Sequence, residues 1–448
     1  MTSGKMICLM ALLNVAYFAQ AQENDSVAKK HELNIGLHIL GHGEVRKGGL
    51  STYGAETEGD NVQFVMGRTR LTLGYKQPYI EAKVIGQNTA IWGMKGDGNF
   101  SIYEAWAKLS MKIGLFAQIG RQALSYDDER IIGPNDWAMA ANSHDVLKLG
   151  YEGYGHKFHA ILAYNQNAEN LESGSTFYQN LNTGNGSQLY KTMQIGWYHY
   201  EVAKFPLGAS LLFMNIGMQA GERGGEKDHA PHIANQQLLG GFVSFHPKWM
   251  TAEAAYYKQL GKDENDMEID GWMASVKVVG KPIRLLEVIA GYDYLSGDDK
   301  FPVVRPGSFG MIYHEKQRSF RPLYGSHHKF YGAMDYFYTS AYMQGFSPGL
   351  QNLYGGAMIR PFKGFSFKTL YHYLAINTDL EGLGKTLGHE IELEAAYDIN
   401  KAISVQAGFS YMTGIETLDR LKRETGTAPL RWGWLSLIVS PNLFSLKW

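Results

Sequence analysis

The feature that most constrains this chain is a two-residue alternation of apolar and polar side chains, sustained over runs of about 9–14 residues and repeated along its length. Leu33, Ile35, Leu37 and Ile39 alternate with Asn34, Gly36 and His38. Between Val65 and Tyr75, one face carries Val65, Leu71, Leu73 and Tyr75, and the other carries Arg68, Arg70 and Thr72. The same pattern sets Ile391, Leu393, Ala395 and Tyr397 against Glu390, Glu392 and Glu394. It recurs over Leu286–Tyr294, Phe365–Tyr373 and Ile403–Tyr411. Alternation of this kind means a strand with a different solvent on each face. The runs exceed the usual 5–6 residues of a globular strand and suit a tilted bilayer crossing, which takes about 9–11. Aromatics at the strand ends (Tyr75, Tyr79, Trp92, Tyr151, Tyr164, Tyr294, Tyr373 and Tyr397) fit girdles at two membrane interfaces. A soluble β-sandwich is the alternative, and it would use shorter strands around a one-faced core.

Composition narrows the class further. Charged residues make up 19%, below the roughly 25% of soluble domains, while 45% hydrophobic content is too much for a disordered chain. Mean hydropathy is −0.26, and no apolar run of about 18 residues follows the N-terminal segment, which excludes a helical membrane protein. With 42 Lys+Arg against 43 Asp+Glu, no basic excess points to nucleic acid.

The N-terminus sets the compartment. Lys5, the apolar stretch Met6 to Phe18 and the Ala19-Gln20-Ala21 site predict a secretory signal peptide over residues 1–21, with one β-barrel domain over 22–448. The single cysteine, Cys8, lies inside that segment, so the mature chain is expected to have no disulfide, thiolate metal site or Cys nucleophile.

The connections alternate between short turns, such as Gln77-Pro78 and Asn400-Lys401, and nine long polar segments: 45–61, 92–99, 123–143, 169–188, 222–235, 261–268, 297–348, 377–385 and 414–429. Nine loops, each closing a hairpin, predict an all-β, membrane-spanning, antiparallel up-and-down β-barrel of about 18 strands in the bacterial outer membrane. Phe330 to Tyr342 is strand-like in composition but would make the count odd, so it is assigned to the longest extracellular loop, with an inward and an outward course both open to it.

The candidate chemistry is electrostatic. Arg68 and Arg70 stand about 7 Å apart on one face. With Lys83, Lys108, Arg121, Arg130, Lys148 and Lys368 they form a cationic track for carboxylate or sulfate groups. The plainer reading is that a barrel interior is polar in any case, its cations paired with Glu104, Glu390, Glu392 and Glu394. Arg on one wall and Glu on another would also set a transverse field across a solute's path. Asp127, Asp128 and Glu129 could in principle hold Ca²⁺, but a solvated cluster is the expected state, with no metal and no cofactor. Ser143-His144-Asp145 has the residue types of a catalytic triad only in adjacent positions, which cannot give triad geometry. No enzyme is expected.

Two segments resemble the alginate-export family of outer-membrane barrels. The first runs Gly120-Arg121-Gln122, Tyr126-Asp127, Asp136-Trp137 and Asp145, and the second contains His328-Lys329 and Asp335. Where the family often carries Arg and Phe, this chain has Asn142 and His144. The resemblance implies an 18-stranded barrel with a basic lumen that passes a polyuronate-like saccharide. The expectation is a monomeric outer-membrane porin, contacting lipid outside and a polar anionic saccharide inside. A non-selective porin and a surface receptor or adhesin are the alternatives.

Overall fold

The computed structural model describes residues 31–47, 62–94, 99–165, 190–220, 232–264, 266–299, 303–304, 312–313, 316–335, 337, 347–414, 416–422 and 429–448. The expected signal peptide lies outside these residues. The described residues form eighteen crossing strands in one closed antiparallel barrel.

In chain order the strands are β1 (Glu32–Lys47), β2 (Val62–Lys76), β3 (Ile80–Ile91), β4 (Asn99–Ser110), β5 (Leu115–Gln122) and β6 (His144–Gly153). They continue with β7 (His156–Tyr164), β8 (Thr192–Glu201), β9 (Leu207–Ala220), β10 (His232–Phe245), β11 (Met250–Lys262) and β12 (Trp272–Ile283). The remainder are β13 (Leu286–Leu295), β14 (Leu350–Ile359), β15 (Phe365–Ala375), β16 (Thr386–Asp398), β17 (Ile403–Gly414) and β18. β18 is one crossing in two pieces, Leu430–Val439 and Asn442–Lys447, both paired with β1. Pro441 falls in the break because it has no N–H to give the ladder; its carbonyl accepts from Leu37 N at 3.1 Å. Eight connections on one side have two to five residues, and the nine on the other are longer. Short turns are periplasmic in such barrels.

The alternation has the face assignment expected of it. In β2, Arg68 and Arg70 are buried inward, whereas Leu71 and Leu73 are 47% and 44% exposed on the outside. Val84, Ile119, Leu162, Leu211, Leu239, Leu353, Ile391 and Leu435 continue that outer apolar belt, as hydrocarbon requires.

The inner face is not uniformly polar. On β7 to β11 the inward positions include Ile161, Met193, Ile195, Leu212, Met214, Leu238 and Tyr257, all buried, beside the buried polar His159, Ser210 and Gln259. Strand β9 is therefore mostly apolar on both faces, the pattern of a strand covered on both sides. Two extracellular connections cover it: loop A (residues 123–143) and loop B (residues 296–349). Leu124, Tyr126, Ile131 and Ile132 of loop A, with Phe320 and Tyr331 of loop B, pack onto the apolar arc in one continuous core. Phe330–Asp335 of loop B lies inside the barrel, with Tyr331, Ala333 and Met334 buried. The free lumen is thus displaced toward the opposite, polar wall of β1–β4 and β15–β18.

Candidate functional site

The site is the constriction where loops A and B meet that polar wall. The loops first bind each other. Ile132 and Tyr324 form a parallel bridge, Gly133 N donates to Tyr324 O at 2.8 Å, and Ser326 N donates to Glu129 O at 2.9 Å. Lys329 Nζ and Ser326 Oγ both donate to Glu129 Oε2. Burial alone would push the Glu129 carboxyl up, but the hydrogen bonds from Lys329, Ser125 and Ser326 outweigh it and hold the pKa below the usual value. His328 stacks on Trp137 with ring centroids 3.9 Å apart and bonds Asp335 Oδ2 at 2.9 Å.

Each loop is then clamped to the wall. Arg68 donates to Asp136 O at 2.9 Å and to Asp136 Oδ2 at 3.2 Å, and Arg70 donates to Asp136 Oδ1 at 2.6 Å. Across the lumen, the amides of Ala333 and Met334 donate to Glu392 Oε1 at 2.6 Å and Glu390 Oε1 at 2.9 Å. Gly332, at φ +95°, lies so close that a Cβ there would stand 2.3 Å from Glu390 Oε2. Arg130 fastens loop A to both neighbours, lying 3.2 Å from Asp128, 3.1 Å from Asp293 on β13 and 4.1 Å above the Phe330 ring. Asp127 accepts from Trp197 Nε1 at 3.0 Å and Tyr257 Oη at 3.3 Å; burial raises its pKa despite those bonds.

The sequence-nominated residues therefore divide. Arg68, Arg70, Glu390 and Glu392 face the lumen but are occupied as loop anchors. Lys83 pairs with Glu104 at 2.8 Å, and Lys368 with Glu394 at 2.7 Å. Lys108 and Lys148 also face inward, in register on either side of Gln118. Neither has an ion-pair partner among the described residues; Lys108 lies 4.1 Å above the Phe116 ring.

Arg121 is a correction. It shares the outward face of β5 with Leu115 and Ile119 and forms a two-pronged pair with Asp145 of β6, at 2.9 and 2.7 Å. The inward positions of β5 are Phe116, Gln118 and Gln122, so strand parity itself takes Arg121 out of the lumen. Gln122 is buried, its amide on Gly120 O at 3.3 Å.

Between the loops and β1, β2, β17 and β18 remains a cavity of about 380 Å³ whose lining includes His38, Leu40, Arg68, Trp137, His328, Lys329, Gln406 and Ser436. His38, Gln406 and Ser436 were not nominated from sequence, although their inward parity was visible in the alternation. What could not be read there is which inward residues the loops leave uncovered. Among the described residues, no group of three or more His, Cys, Asp or Glu side chains could hold a metal ion.

No family model matches the chain, and no curated protein matches it. Solved structures do. OccK5 (OpdH) of Pseudomonas aeruginosa aligns over 92% of this chain and 98% of its own with a TM-score of 0.60 at 12% identity. OccK9 (OpdG) of the same organism gives 0.61 at 13%, over 92% and 98%. OccAB1 of Acinetobacter baumannii gives 0.59 at 10%, over 92% and 97%. OccK2 (OpdF) of P. aeruginosa, solved in complex with glucuronate, gives 0.58 at 13%, again over 92% and 98%. These similarities overturn the resemblance to the alginate-export family: the structural neighbours are Occ channels. At such identities the shared property is the fold. It is the closed eighteen-strand barrel of outer-membrane porins, whose apolar belt places the chain in the bacterial outer membrane.

Proposed function

We propose that the chain is a monomeric outer-membrane channel that passes a small anionic solute, of the size of a single sugar acid, by diffusion. The observation that carries the reading is that two lumen lysines, Lys108 and Lys148, lack an acidic partner among the described residues, while Glu390, an inward acid without a basic partner, is buried against the Met334 amide. Inward acids such as Glu44, Glu104, Glu253, Glu392 and Glu394 each lie within ion-pair distance of a basic side chain, whereas Lys108 and Lys148 on the periplasmic side of the constriction do not. An ammonium in a narrow, poorly screened lumen attracts an anion more strongly than it would in bulk water. The two interlocked loops favour a small solute over a polymer. OccK2, which shares this fold, was crystallised with a sugar acid, in keeping with the size class.

Planar-bilayer reversal potentials in a KCl gradient test this directly. The wild-type channel is expected to prefer chloride, and the double variant Lys108→Gln, Lys148→Gln to shift toward potassium with folding unchanged, since Gln still hydrogen-bonds in a wet interior. A non-selective wild type would make the protein a general porin.

A further inference from the structure

We infer that the cavity of about 380 Å³ is a subsite for one hydroxylated six-membered sugar ring, recognised through its ring and not through its charge. The inference rests on the channel reading but separates ring recognition from charge selection, which falls to Lys108 and Lys148 nearer the periplasm.

The lining has the two-sided chemistry a pyranose needs. Leu40, Ile438 and Trp137 offer apolar area to the C–H face, while Gln406 offers its amide to hydroxyls; His38 is held by Ser440 at 2.8 Å, and Ser436, bonded to His42 at 2.6 Å, keeps acceptor capacity on its oxygen. Its charged lining groups are already engaged: Arg68 shares Asp136 with Arg70, and Lys329 meets Glu129. A carboxylate would have to compete with Asp136 and Glu129 for these cations. The Gln406 side chain has no hydrogen-bond partner among the described residues, and a primary amide offers two donors and an acceptor.

The apolar roof is also fixed in advance. Trp137 stacks on His328, and its edges meet His42 at 5.3 Å and Trp434 at 4.9 Å between centroids. Trp434 in turn lies flat over Gly408, where a Cβ would come within 2.3 Å of the indole. A platform that does not need ordering costs a ligand less to bind. The volume falls at the small end of ligand pockets, which span about 300–1,000 Å³, and so suits one ring.

The test is solute-induced current blockage of the full-length channel in a planar bilayer, comparing glucuronate, glucose and the ring-free carboxylate propionate. Both sugars are expected to give resolved blockades and propionate none. Gln406→Leu should shorten the sugar residence times about threefold to tenfold, as loss of one or two hydrogen bonds implies. Ile438→Ser, which removes apolar area without changing charge, should act in the same direction, with heat-modifiable gel mobility reporting that both variants fold. Propionate blocking as long as glucuronate, glucose failing to block, or both variants keeping wild-type residence times would each overturn the ring subsite. Glucose blockade in a channel without chloride preference would instead sink the anionic-solute reading and leave the subsite standing.

Discussion

Leu71 and Thr72 are neighbours in sequence and face different solvents, so they give the cleanest single-residue check of the barrel. Leu71 sits in the outer belt, and Leu71→Arg near the bilayer midplane is expected to cost about 2–4 kcal/mol, whereas Thr72→Arg should cost much less. Denaturant unfolding in lipid vesicles measures both, and equal costs would mean the inside–outside assignment is wrong. Arg121 supplies a second check. Because it pairs with Asp145 on the outside, Arg121→Gln should leave ion selectivity at the wild-type value. It should change stability by about 0–1 kcal/mol, as exposed pairs do. A shift in reversal potential as large as that of the Lys108 and Lys148 variant would put Arg121 back in the permeation path.

At the scale of elements, loops A and B form one body held by charged clamps. Removing Arg68 and Arg70 together takes away both cations and all the hydrogen bonds they give to Asp136, which tie loop A to β2. The Arg68→Gln, Arg70→Gln variant is therefore expected to show larger conductance with added substates; unchanged single-level openings would count against the clamp. Acid should loosen the same body. Glu129 has a pKa held below 4.5, so its latch to Lys329 stabilises the docked loops above that pH and is lost as pH falls through the depressed value. His327 is pushed by burial from 6.5 to about 4, so its contribution is complete above 6.5 and is lost as pH drops toward 4. Current traces should be quiet at neutral pH and noisy below about 4.5, and a quiet trace at pH 3 would exclude this mechanism. Strand number and loop count were legible because each follows from local periodicity and an even count, and the same count put Phe330–Tyr342 in the longest loop; that Phe330–Asp335 turns into the lumen depends on contacts with Glu390 and Glu392, distant in sequence. The use made of Arg68, Arg70, Glu390 and Glu392 was not legible, because their partners lie in loops far away in sequence. Arg121 was misplaced when its charge was weighed ahead of the parity set by Ile119.

For the whole molecule, the balance between walls matters more than any residue. Cations on β2–β6 and acids on β16 flank the open lumen, but most are compensated, so net selectivity should fall on Lys108 and Lys148. Replacing only the lysines that already have partners, in the variant Lys83→Gln, Lys368→Gln, is expected to move the reversal potential by less than replacing those two.

The apolar arc inside β7 to β11 has a consequence for assembly. A conventional porin has a wall that tolerates water on its inner face from the moment it closes, but this one does not. Ile161, Met193, Leu212, Met214 and Leu238 would face an aqueous lumen in any intermediate that shuts the barrel before loops A and B are seated. The loops thus serve as the hydrophobic core that barrels of this width usually do without, and docking must accompany closure. Excising residues 124–142 should then yield misfolded, aggregating protein in place of a wide-open pore, and a stable, highly conducting deletion variant would show that the arc can stay wet.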